Sequence, residues 1–354
     1  MPWIYLLLSA GLFMGWSLGT NDAANAFGTA VATRVVKYRT AIIIIAVMIL
    51  LGAVLFGHES IAKLTSIATN NGVLATEETV EAAKAAGELE ALRLKSALNA
   101  FIIFACAGLT VFIMSYLKFP VSANQSVIGA IIGWGICYAD YSDAEILQTN
   151  LGEIAEFAST WLINPLVAAV ISFVLVFLIK KFIERHLTSM RSYDIIVKVG
   201  YIAAGAFSAF SIGQNSSASV TAFYYDAGGA NLLSNARLTA IIGGVAIVIG
   251  VLTFSKRVMM TVGSSIAEIS QVDGFVVILA SALTVLLMNK WWGLPVSTSQ
   301  SVVGAVIGAG LVSGVKKVNF GVLRNIAIAW VSSPTVAGLL AFLVAIATKG
   351  YFGA

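Results

Sequence analysis

Long apolar runs alternate with short polar or charged stretches along the whole chain of 354 residues. Residues 40–57, 96–117 and 237–254 are the clearest examples, because they contain almost no charged side chains. About 20 consecutive apolar residues are enough for a helix to cross the hydrocarbon core of a bilayer. The pattern therefore predicts an all-α polytopic membrane protein with about 10–12 transmembrane segments.

The composition excludes a soluble globular protein. Charged residues make up only 11% of the chain, and apolar residues make up 59%. Soluble domains contain about 25% charged residues. The net charge is +4, and Lys and Arg are concentrated in a few short loops, which is typical of topology signals. The expected partner is therefore the lipid bilayer, and nucleic acid is not an expected partner.

Two segments that start with proline are nearly identical to each other. Residues 120–133 read PVSANQSVIGAIIG, and residues 295–308 read PVSTSQSVVGAVIG. Proline is favoured in the first turn of a helix, where unpaired N–H groups and the helix dipole attract negative charge. The polar cluster after each proline therefore predicts one half of an anion site. The predicted anion-binding residues are Ser122, Asn124, Gln125, Ser126, Ser297, Thr298, Ser299, Gln300 and Ser301.

The same polar clusters have a second interpretation, in which they only cap their helices. Gly129 and Gly133, like Gly304 and Gly308, have the spacing that allows two helices to approach closely. Neutral hydroxyl and amide donors nevertheless suit an oxyanion, and no Lys or Arg lies inside a predicted span. We therefore expect close helix packing and anion contact together.

A polar interruption, GTNDAAN at residues 19–25, contains a carboxylate in the middle of an apolar run. A charge at this depth costs at least about 2.5 kcal/mol, and such residues usually face a cavity or a transport pathway. With Asn21 and Asn25, Asp22 offers hard oxygen ligands for Na⁺, or Asp22 itself carries a proton. Gly19 is expected to let the helix unwind there. The alternative is a carboxylate held by hydrogen bonds to a neighbouring helix. We call this stretch the first motif.

The order of elements in the first half recurs in the second half. A second motif, GQNSSAS at residues 213–219, corresponds to the first, and apolar runs broken at Pro165 and Pro334 correspond to each other. This order predicts an internal duplication. The predicted units are a first repeat at 1–179 with a surface helix at about 77–95, a basic cytoplasmic linker at 180–198, and a second repeat at 199–354.

Loop charges predict how the repeats are oriented. If the basic loops at 34–39, 180–198, 256–257 and 315–317 are cytoplasmic, and the acidic stretches 58–95 and 139–150 are outside, each repeat crosses the bilayer an odd number of times. The second repeat is then inverted relative to the first, as in many secondary transporters with broken or re-entrant helices at a midplane site. Both termini are predicted to lie outside a plasma or inner membrane. Whether the paired segments cross or re-enter is left open.

The longer stretch at residues 19–33, GTNDAANAFGTAVAT, together with the paired segments and the duplication, resembles the inorganic phosphate transporter family over essentially the whole chain. The resemblance implies a symporter of inorganic phosphate driven by Na⁺ or H⁺, although some relatives carry sulfate. It also implies that Asn21, Asp22 and Asn25 bind the cation. The residues that it implies at or near the anion are Ser122, Gln125, Ser126, Ser297, Thr298, Gln300 and Ser301.

The chain departs from the family pattern in both halves. The second Asn-Asp motif reads Asn215-Ser216, so a second site for Na⁺ or proton coupling at these two residues would rely on neutral oxygens. Gln125 and Gln300 replace the family's histidine, and Ala123 replaces a threonine. Phosphate near neutral pH can donate a proton to a carboxylate, whereas sulfate only accepts hydrogen bonds. A site with fewer carboxylates is therefore expected to discriminate less against sulfate.

Phosphate is therefore the first expected substrate, and a sulfate permease of the same fold is the alternative. An enzyme embedded in the membrane would need a nucleophile–base pair or a cluster of carboxylates and histidine. The sequence contains no such pattern, so we expect neither enzymatic activity nor an organic cofactor. A passive anion channel is a further alternative, but duplication with broken helices favours alternating access. A homodimer is also considered.

Overall fold

The computed structural model describes residues 6–117, 121–138, 144–182, 189–225, 233, 235–262, 270–293, 295–314 and 320–352. These residues are almost entirely helical, and they contain one isolated β-bridge, between Tyr225 and Leu233. The all-α prediction is therefore confirmed. In chain order the helices are α1 (Leu8–Ala32), α2 (Tyr38–Phe56), α3 (Ile61–Asn70), α4 (Glu77–Ala86), α5 (Leu89–Tyr116), α6 (Ala123–Tyr138), α7 (Ala144–Phe182), α8 (Met190–Ser216), α9 (Ala218–Thr221), α10 (Ala236–Val262), α11 (Gln271–Trp292), α12 (Thr298–Ser313) and α13 (Phe320–Phe352).

Seven helical stretches among the described residues are long and apolar enough to cross a bilayer. In α2, for example, exposed apolar side chains recur once per turn at Ile43, Val47 and Leu51. Such a stripe suits contact with lipid. The chain is thus an integral, multi-pass membrane protein. The seven stretches are Tyr38–Phe56, Leu89–Tyr116, Gly152–Phe182, Met190–Tyr224, Ala236–Met260, Gln271–Trp292 and Arg324–Lys349.

The paired proline segments form two short helices, α6 and α12, of 16 residues each. A straight helix of this length measures about 24 Å, which is less than the roughly 30 Å of a hydrocarbon core, so the length favours re-entry over crossing. We call residues 121–126 the first tip and residues 296–301 the second tip. Pro295 lies ahead of Ser297, the N-cap of α12, and therefore not in the first turn as expected. Pro120 lies outside the described residues.

The two halves pack against each other in matched pairs of helices. α1 packs along α10, and the corresponding helices α8 and α2 also pack together. In the same way, α6 packs along α13 and α12 packs along α7. The division of the chain into repeats at 1–179 and 199–354 is still a prediction. Their inverted orientation and the outside location of both termini stay predictions.

Glycines of the two short helices lie directly against the backbone of the proline-containing helices. A Cβ atom added at Gly129 would lie 2.1 Å from the carbonyl oxygen of Pro334, and one added at Gly304 would lie 2.1 Å from that of Pro165. No side chain fits at either position without moving the backbone. The close packing predicted for these segments is therefore confirmed.

The first motif does not unwind its helix, contrary to the prediction. α1 is continuous over Leu8–Ala32, with Gly19 in its interior. Glycine is needed here for close packing, since an added Cβ atom would lie 1.9 Å from the carbonyl oxygen of Ile247 on α10. The second motif differs, because α8 ends at Ser216 and α9 begins at Ala218.

The helix breaks predicted at Pro165 and Pro334 do not occur, because both prolines lie inside continuous helices, α7 and α13. A proline inside a helix leaves the carbonyl oxygen one turn earlier without its N–H donor. In α13, the hydroxyl group of Ser333 donates to this oxygen, on Trp330, at 3.2 Å. Such side-chain compensation allows the helix to continue.

The stretch predicted as one surface helix, residues 77–95, contains two helices. α4 ends at Ala86, where Gly87 has a left-handed backbone conformation with φ of 75°. α5 then begins at Leu89 and continues into a membrane span. Glycine adopts this conformation without steric cost and therefore suits the end of a helix.

The predicted cytoplasmic linker, residues 180–198, is helical over much of its length. α7 continues to Phe182 and α8 begins at Met190, while residues 183–188 lie outside the described residues. Residues 256–257, predicted as a basic loop, lie inside α10 near its C-terminal end. The basic loop at 315–317 lies outside the described residues. The cytoplasmic location of these stretches stays a prediction.

Candidate functional site

The first and second tips are buried and in contact with each other. The side-chain amide of Asn124 donates to the carbonyl oxygen of Val296 at 2.7 Å. The hydroxyl group of Ser299 donates to the carbonyl oxygen of Val121 at 3.3 Å. Each tip is thus hydrogen-bonded to the backbone of the other, and these bonds join the two halves of the chain.

Several predicted anion ligands also cap their own helices. The hydroxyl oxygen of Ser122 accepts from the backbone N–H of Gln125 at 3.4 Å, and that of Ser297 accepts from Gln300 at 3.3 Å. Such bonds satisfy N–H groups that have no partner at a helix start. The capping interpretation is therefore correct for these residues. The backbone carbonyl oxygens of Ser122 and Ser297 also accept hydrogen bonds at 3.1 Å. Their donors are the hydroxyl groups of Ser126 and Ser301, which lie one turn later.

Among the polar residues of the tips, Gln125 and Gln300 form the fewest side-chain hydrogen bonds with the described residues. Each is 2% exposed, and its carboxamide oxygen has no hydrogen-bond partner within the described parts of the chain. A buried acceptor without a partner costs about 1–3 kcal/mol, and buried polar groups in proteins are nearly always paired. The two unpaired oxygens occupy equivalent positions in the first and second tips.

The first motif lies beside the second tip. Asp22 is 4% exposed, and its carboxylate accepts from the hydroxyl group of Thr298 at 3.1 Å and from the amide of Asn25 at 3.2 Å. The Asn25 amide also donates to the Thr298 hydroxyl oxygen at 3.2 Å. Asn21 donates to the carbonyl oxygen of Val121 at 3.1 Å, so the same motif also contacts the first tip.

The surroundings of Asp22 fit a cation. It forms no ion pair among the residues that the structure describes. A buried carboxylate is costly unless a positive charge or a proton compensates it. Hard cations bind through carboxylate and carboxamide oxygens, which Asn21, Asp22 and Asn25 supply together. The alternative prediction, a carboxylate held by a neighbouring helix, is correct, because Thr298 belongs to α12. The cation site itself stays a prediction.

The second motif has equivalent neighbours but different bonds. Asn215 donates to the carbonyl oxygen of Val296 and accepts from its backbone N–H, both at 2.8 Å. Its amide also donates to Ser216 at 3.3 Å. Asn289 of α11 donates to Asn215 at 3.5 Å and to Ser60 at 2.9 Å. Asn215 and Ser216 therefore lie in a network of neutral groups.

Asn164 belongs to the site, although the sequence pattern indicated only a helix break there. Its amide donates to the carbonyl oxygen of Ser297 at 2.8 Å, and its side-chain oxygen accepts from Ser301 at 2.7 Å. It thus positions the second tip from α7. Its signal in the sequence is an amide beside a proline in an apolar run. Asn289 has a similar signal, a single amide at the end of an apolar run.

The space between the tips is closed. Gaps among the tip residues and α1 add up to about 150 Å³, but no part of them is wide enough for a water molecule. The residues around these gaps are Asp22, Ser122, Ala123, Asn124, Ser297 and Thr298.

Known proteins similar to this chain cover nearly all of it. It is 27% identical over 417 residues to a protein of Thermococcus kodakarensis named as a phosphate permease, with 97% of each chain covered. Proteins of Pyrococcus abyssi and Methanocaldococcus jannaschii with the same name are 28% and 27% identical, and cover 97% and 96% of the chain. In both cases the same share of the relative is covered.

A solved structure has the same fold. The sodium-dependent phosphate transporter aligns over 99% of both chains with a TM-score of 0.76 and 23% sequence identity. The family model described as the phosphate transporter family matches residues 18–341, which include both motifs and both tips. The resemblance found in the sequence motifs is therefore confirmed, and the chain belongs to the phosphate transporter family.

Proposed function

We propose that the chain is a secondary active transporter that carries inorganic phosphate together with Na⁺ by alternating access. One observation carries the proposal: the hydroxyl group of Thr298, in the second tip, donates to the carboxylate of Asp22 at 3.1 Å. A predicted anion ligand and a predicted cation ligand therefore share one hydrogen bond. Family membership and the names of the relatives support phosphate as the substrate.

In this proposal, phosphate binds between the two tips near the middle of the bilayer. The ends of α6 and α12 supply backbone N–H groups and the positive ends of two helix dipoles. Hydroxyl and amide side chains add neutral donors, and several such donors together can hold an oxyanion. The proposed ligands are drawn from Ser122, Asn124, Gln125, Ser126, Ser297, Thr298, Ser299, Gln300 and Ser301.

Na⁺ is proposed to bind Asn21, Asp22 and Asn25 as the co-transported ion. Its charge compensates the carboxylate of Asp22, which has no basic partner among the described residues. Carboxylate oxygens that coordinate a cation accept less strongly from Thr298, so its hydroxyl group becomes free to donate to phosphate. Cation and anion then strengthen each other's binding, as symport requires.

Alternating access requires the closed tips to separate toward one side of the bilayer at a time. We propose that the repeats are inverted, so that equivalent movements open the site to each side. The reciprocal pairing of α1 with α10 and α8 with α2 supports this arrangement. The bonds that must break are those of Asn124 with Val296 and of Ser299 with Val121.

Sulfate is the second candidate substrate, because the tips carry neutral donors. Phosphate is favoured by Gln125 and Gln300, whose buried carboxamide oxygens accept no hydrogen bond from described residues. Phosphate near neutral pH retains a proton that it can donate to such an oxygen, whereas sulfate has none. A site with these acceptors disfavours sulfate, because the acceptors would stay unpaired in the sulfate complex.

Uptake of labelled phosphate into proteoliposomes tests the proposal. We expect saturable accumulation above equilibrium under an inward Na⁺ gradient, and weak competition by sulfate. Protein-free liposomes and a K⁺ gradient are the controls, and a proton gradient without Na⁺ tests the other coupling ion. Accumulation driven by protons alone would assign the coupling role to a proton on Asp22 instead. Flux that neither saturates nor responds to a gradient would indicate a channel and refute the proposal.

A further inference from the structure

We infer that only the first motif binds a coupling cation, so that one Na⁺ moves with each phosphate. The inference rests on the proposed symport function and specifies its stoichiometry. Two equivalent motifs in one chain would otherwise suggest two cations per cycle. The bonds of the second motif, residues 213–219, instead suit a permanent attachment of the second tip to α8.

The contacts of the two motifs fix which of their residues correspond. Asn21 donates to the carbonyl oxygen of Val121 in the first tip, and Asn215 donates to that of Val296 in the second tip. These two valines occupy the same place in the paired segments. Counting from the asparagines, the next corresponding pairs are Asp22 with Ser216 and Asn25 with Ser219.

The carboxylate and its hydroxyl donor are missing together in the second half. In the first motif, Asp22 accepts from Thr298 at 3.1 Å. The residue corresponding to Asp22 is Ser216, and the residue corresponding to Thr298 is Ala123. A threonine there would bury a hydroxyl group with no carboxylate to accept from it, which costs free energy. Ala123 therefore matches the absence of a carboxylate at Ser216, and the surroundings of the second motif carry no charge at this point.

The side-chain amide oxygen of Asn215 already accepts two hydrogen bonds. It accepts from the backbone N–H of Val296 at 2.8 Å and from Asn289 at 3.5 Å. The corresponding oxygen of Asn21 accepts no hydrogen bond from the described residues. A cation at the second motif would displace a backbone bond of the second tip and would meet only neutral oxygens. Without a carboxylate, no negative charge helps the neutral oxygens to offset the cost of dehydrating the cation in a buried site.

The same bonds attach the second tip firmly to α8. Asn215 binds both polar backbone atoms of Val296, directly before the N-cap Ser297. The first tip has a weaker link to α1, because Asn21 makes a single bond to Val121. A cation can therefore bind and leave the first motif without breaking a pair of bonds to a tip. At the second motif, it would disturb the two bonds that join Asn215 to the second tip.

Zero-flux measurements count the coupling cations. Proteoliposomes receive opposing gradients of Na⁺ and labelled phosphate at equal pH, with the membrane potential held at zero by K⁺ and valinomycin. We expect net flux to stop when the phosphate concentration ratio equals the opposing Na⁺ ratio. Balance at the square of the Na⁺ ratio would mean two Na⁺ per phosphate and would overturn the inference.

A variant with a rebuilt second motif tests whether the missing carboxylate, amide and hydroxyl group explain the absence of a second cation. The combined variant Ser216→Asp, Ser219→Asn and Ala123→Thr restores the carboxylate, amide and hydroxyl group in the second half. We expect this variant, purified as monodisperse protein, to bind one more ²²Na⁺ ion at equilibrium than the parent. Equal binding by the folded variant and the parent would contradict the explanation, and the zero-flux result on the parent protein stands independently of how the variant folds.

The two proposals fail in different ways. If no gradient drives phosphate accumulation, the proposed symport function is wrong. If a Na⁺ gradient drives accumulation but the zero-flux balance follows the square of its ratio, symport stands and only the single-cation inference is wrong.

Discussion

The first motif in α1 and the second motif in α8 occupy equivalent places in a duplicated packing, but their chemistry differs. Asp22 in the first motif is a buried carboxylate bonded to Thr298 of the other half. Asn215 in the second motif is bonded to backbone atoms of Val296 and lies among neutral side chains. The comparison indicates that the backbone arrangement is alike in both halves, whereas the proposed ion coupling depends on a few side chains in one of them.

The close approach of glycines to the backbone of facing helices is nearly the same in both halves. The distances from an added Cβ atom to the facing carbonyl oxygen are 2.1 Å at Gly129 and 2.1 Å at Gly304. Gly19 and Gly213 show the same agreement, with 1.9 Å and 2.0 Å to the facing oxygens of α10 and α2. Mutations in shared packing should therefore act alike in both halves, and mutations in the motifs should not.

The largest expected effect is on folding, from Gly129→Ala and Gly304→Ala. Each new methyl group would overlap a backbone oxygen of a neighbouring helix, so we expect each variant to lose most of its monodisperse protein in size-exclusion chromatography. Gly152→Ala is the matched control, because an added Cβ atom there meets no atom within 4 Å. A large loss in only one of the two glycine variants would contradict the equivalence of the halves.

Asp22→Asn should abolish Na⁺-driven phosphate accumulation while the protein still folds. The carboxamide retains the shape and one acceptor oxygen for Thr298 but carries no charge for a cation. The measurement is labelled phosphate uptake in proteoliposomes, with the elution profile as the folding check. Glu90→Gln, which removes an exposed carboxylate at the start of α5, is the control. Normal accumulation by Asp22→Asn would exclude the coupling role of Asp22.

Asn25→Ala and Ser219→Ala compare corresponding positions of the two motifs. Asn25→Ala removes the carboxamide oxygen of a proposed cation ligand beside Asp22, and loss of an interaction worth about 1.5 kcal/mol predicts a rise of about tenfold in the half-saturating Na⁺ concentration. Ser219→Ala removes a buried hydroxyl group that has no partner within the described residues, so Na⁺ activation should stay unchanged. Equal effects of both changes would place a cation at each motif.

Gln125→Ala and Gln300→Ala should have equal effects, which are smaller than that of Asn25→Ala. Loss of one hydrogen bond to phosphate of about 1 kcal/mol predicts a rise of about fivefold in the half-saturating phosphate concentration. Sulfate should compete better in both variants, because the acceptors that disfavour it are gone. The measurement is initial uptake with and without sulfate. An unchanged phosphate dependence in either variant would remove that glutamine from the site.

The sequence was sufficient to predict the all-α membrane fold, the family and the polar residues of both tips. These features follow from local patterns, namely apolar runs, repeated segments and single polar interruptions. The apolar runs that form α2 and α5, for example, predict helices without any knowledge of their neighbours. Similarly, repeated Pro-Val-Ser segments are recognised by comparing the chain with itself.

Features that depend on distant contacts could not be predicted in this way. Gly19 suggested an unwound helix, but its partner is the backbone of Ile247 on α10. Pro334 suggested a break, but the hydroxyl group of Ser333 satisfies the carbonyl oxygen that the proline leaves without a donor. The role of Asn164 requires knowledge that α7 packs along α12. In each case the same residue pattern is compatible with more than one structure.

Equilibrium binding of ²²Na⁺ to purified protein tests the difference between the motifs most directly. The account predicts one bound Na⁺ per chain, no bound Na⁺ in Asp22→Asn, and unchanged binding in Ser219→Ala. Retention of bound Na⁺ in Asp22→Asn, or loss of it in Ser219→Ala, would contradict the assignment of the cation to the first motif.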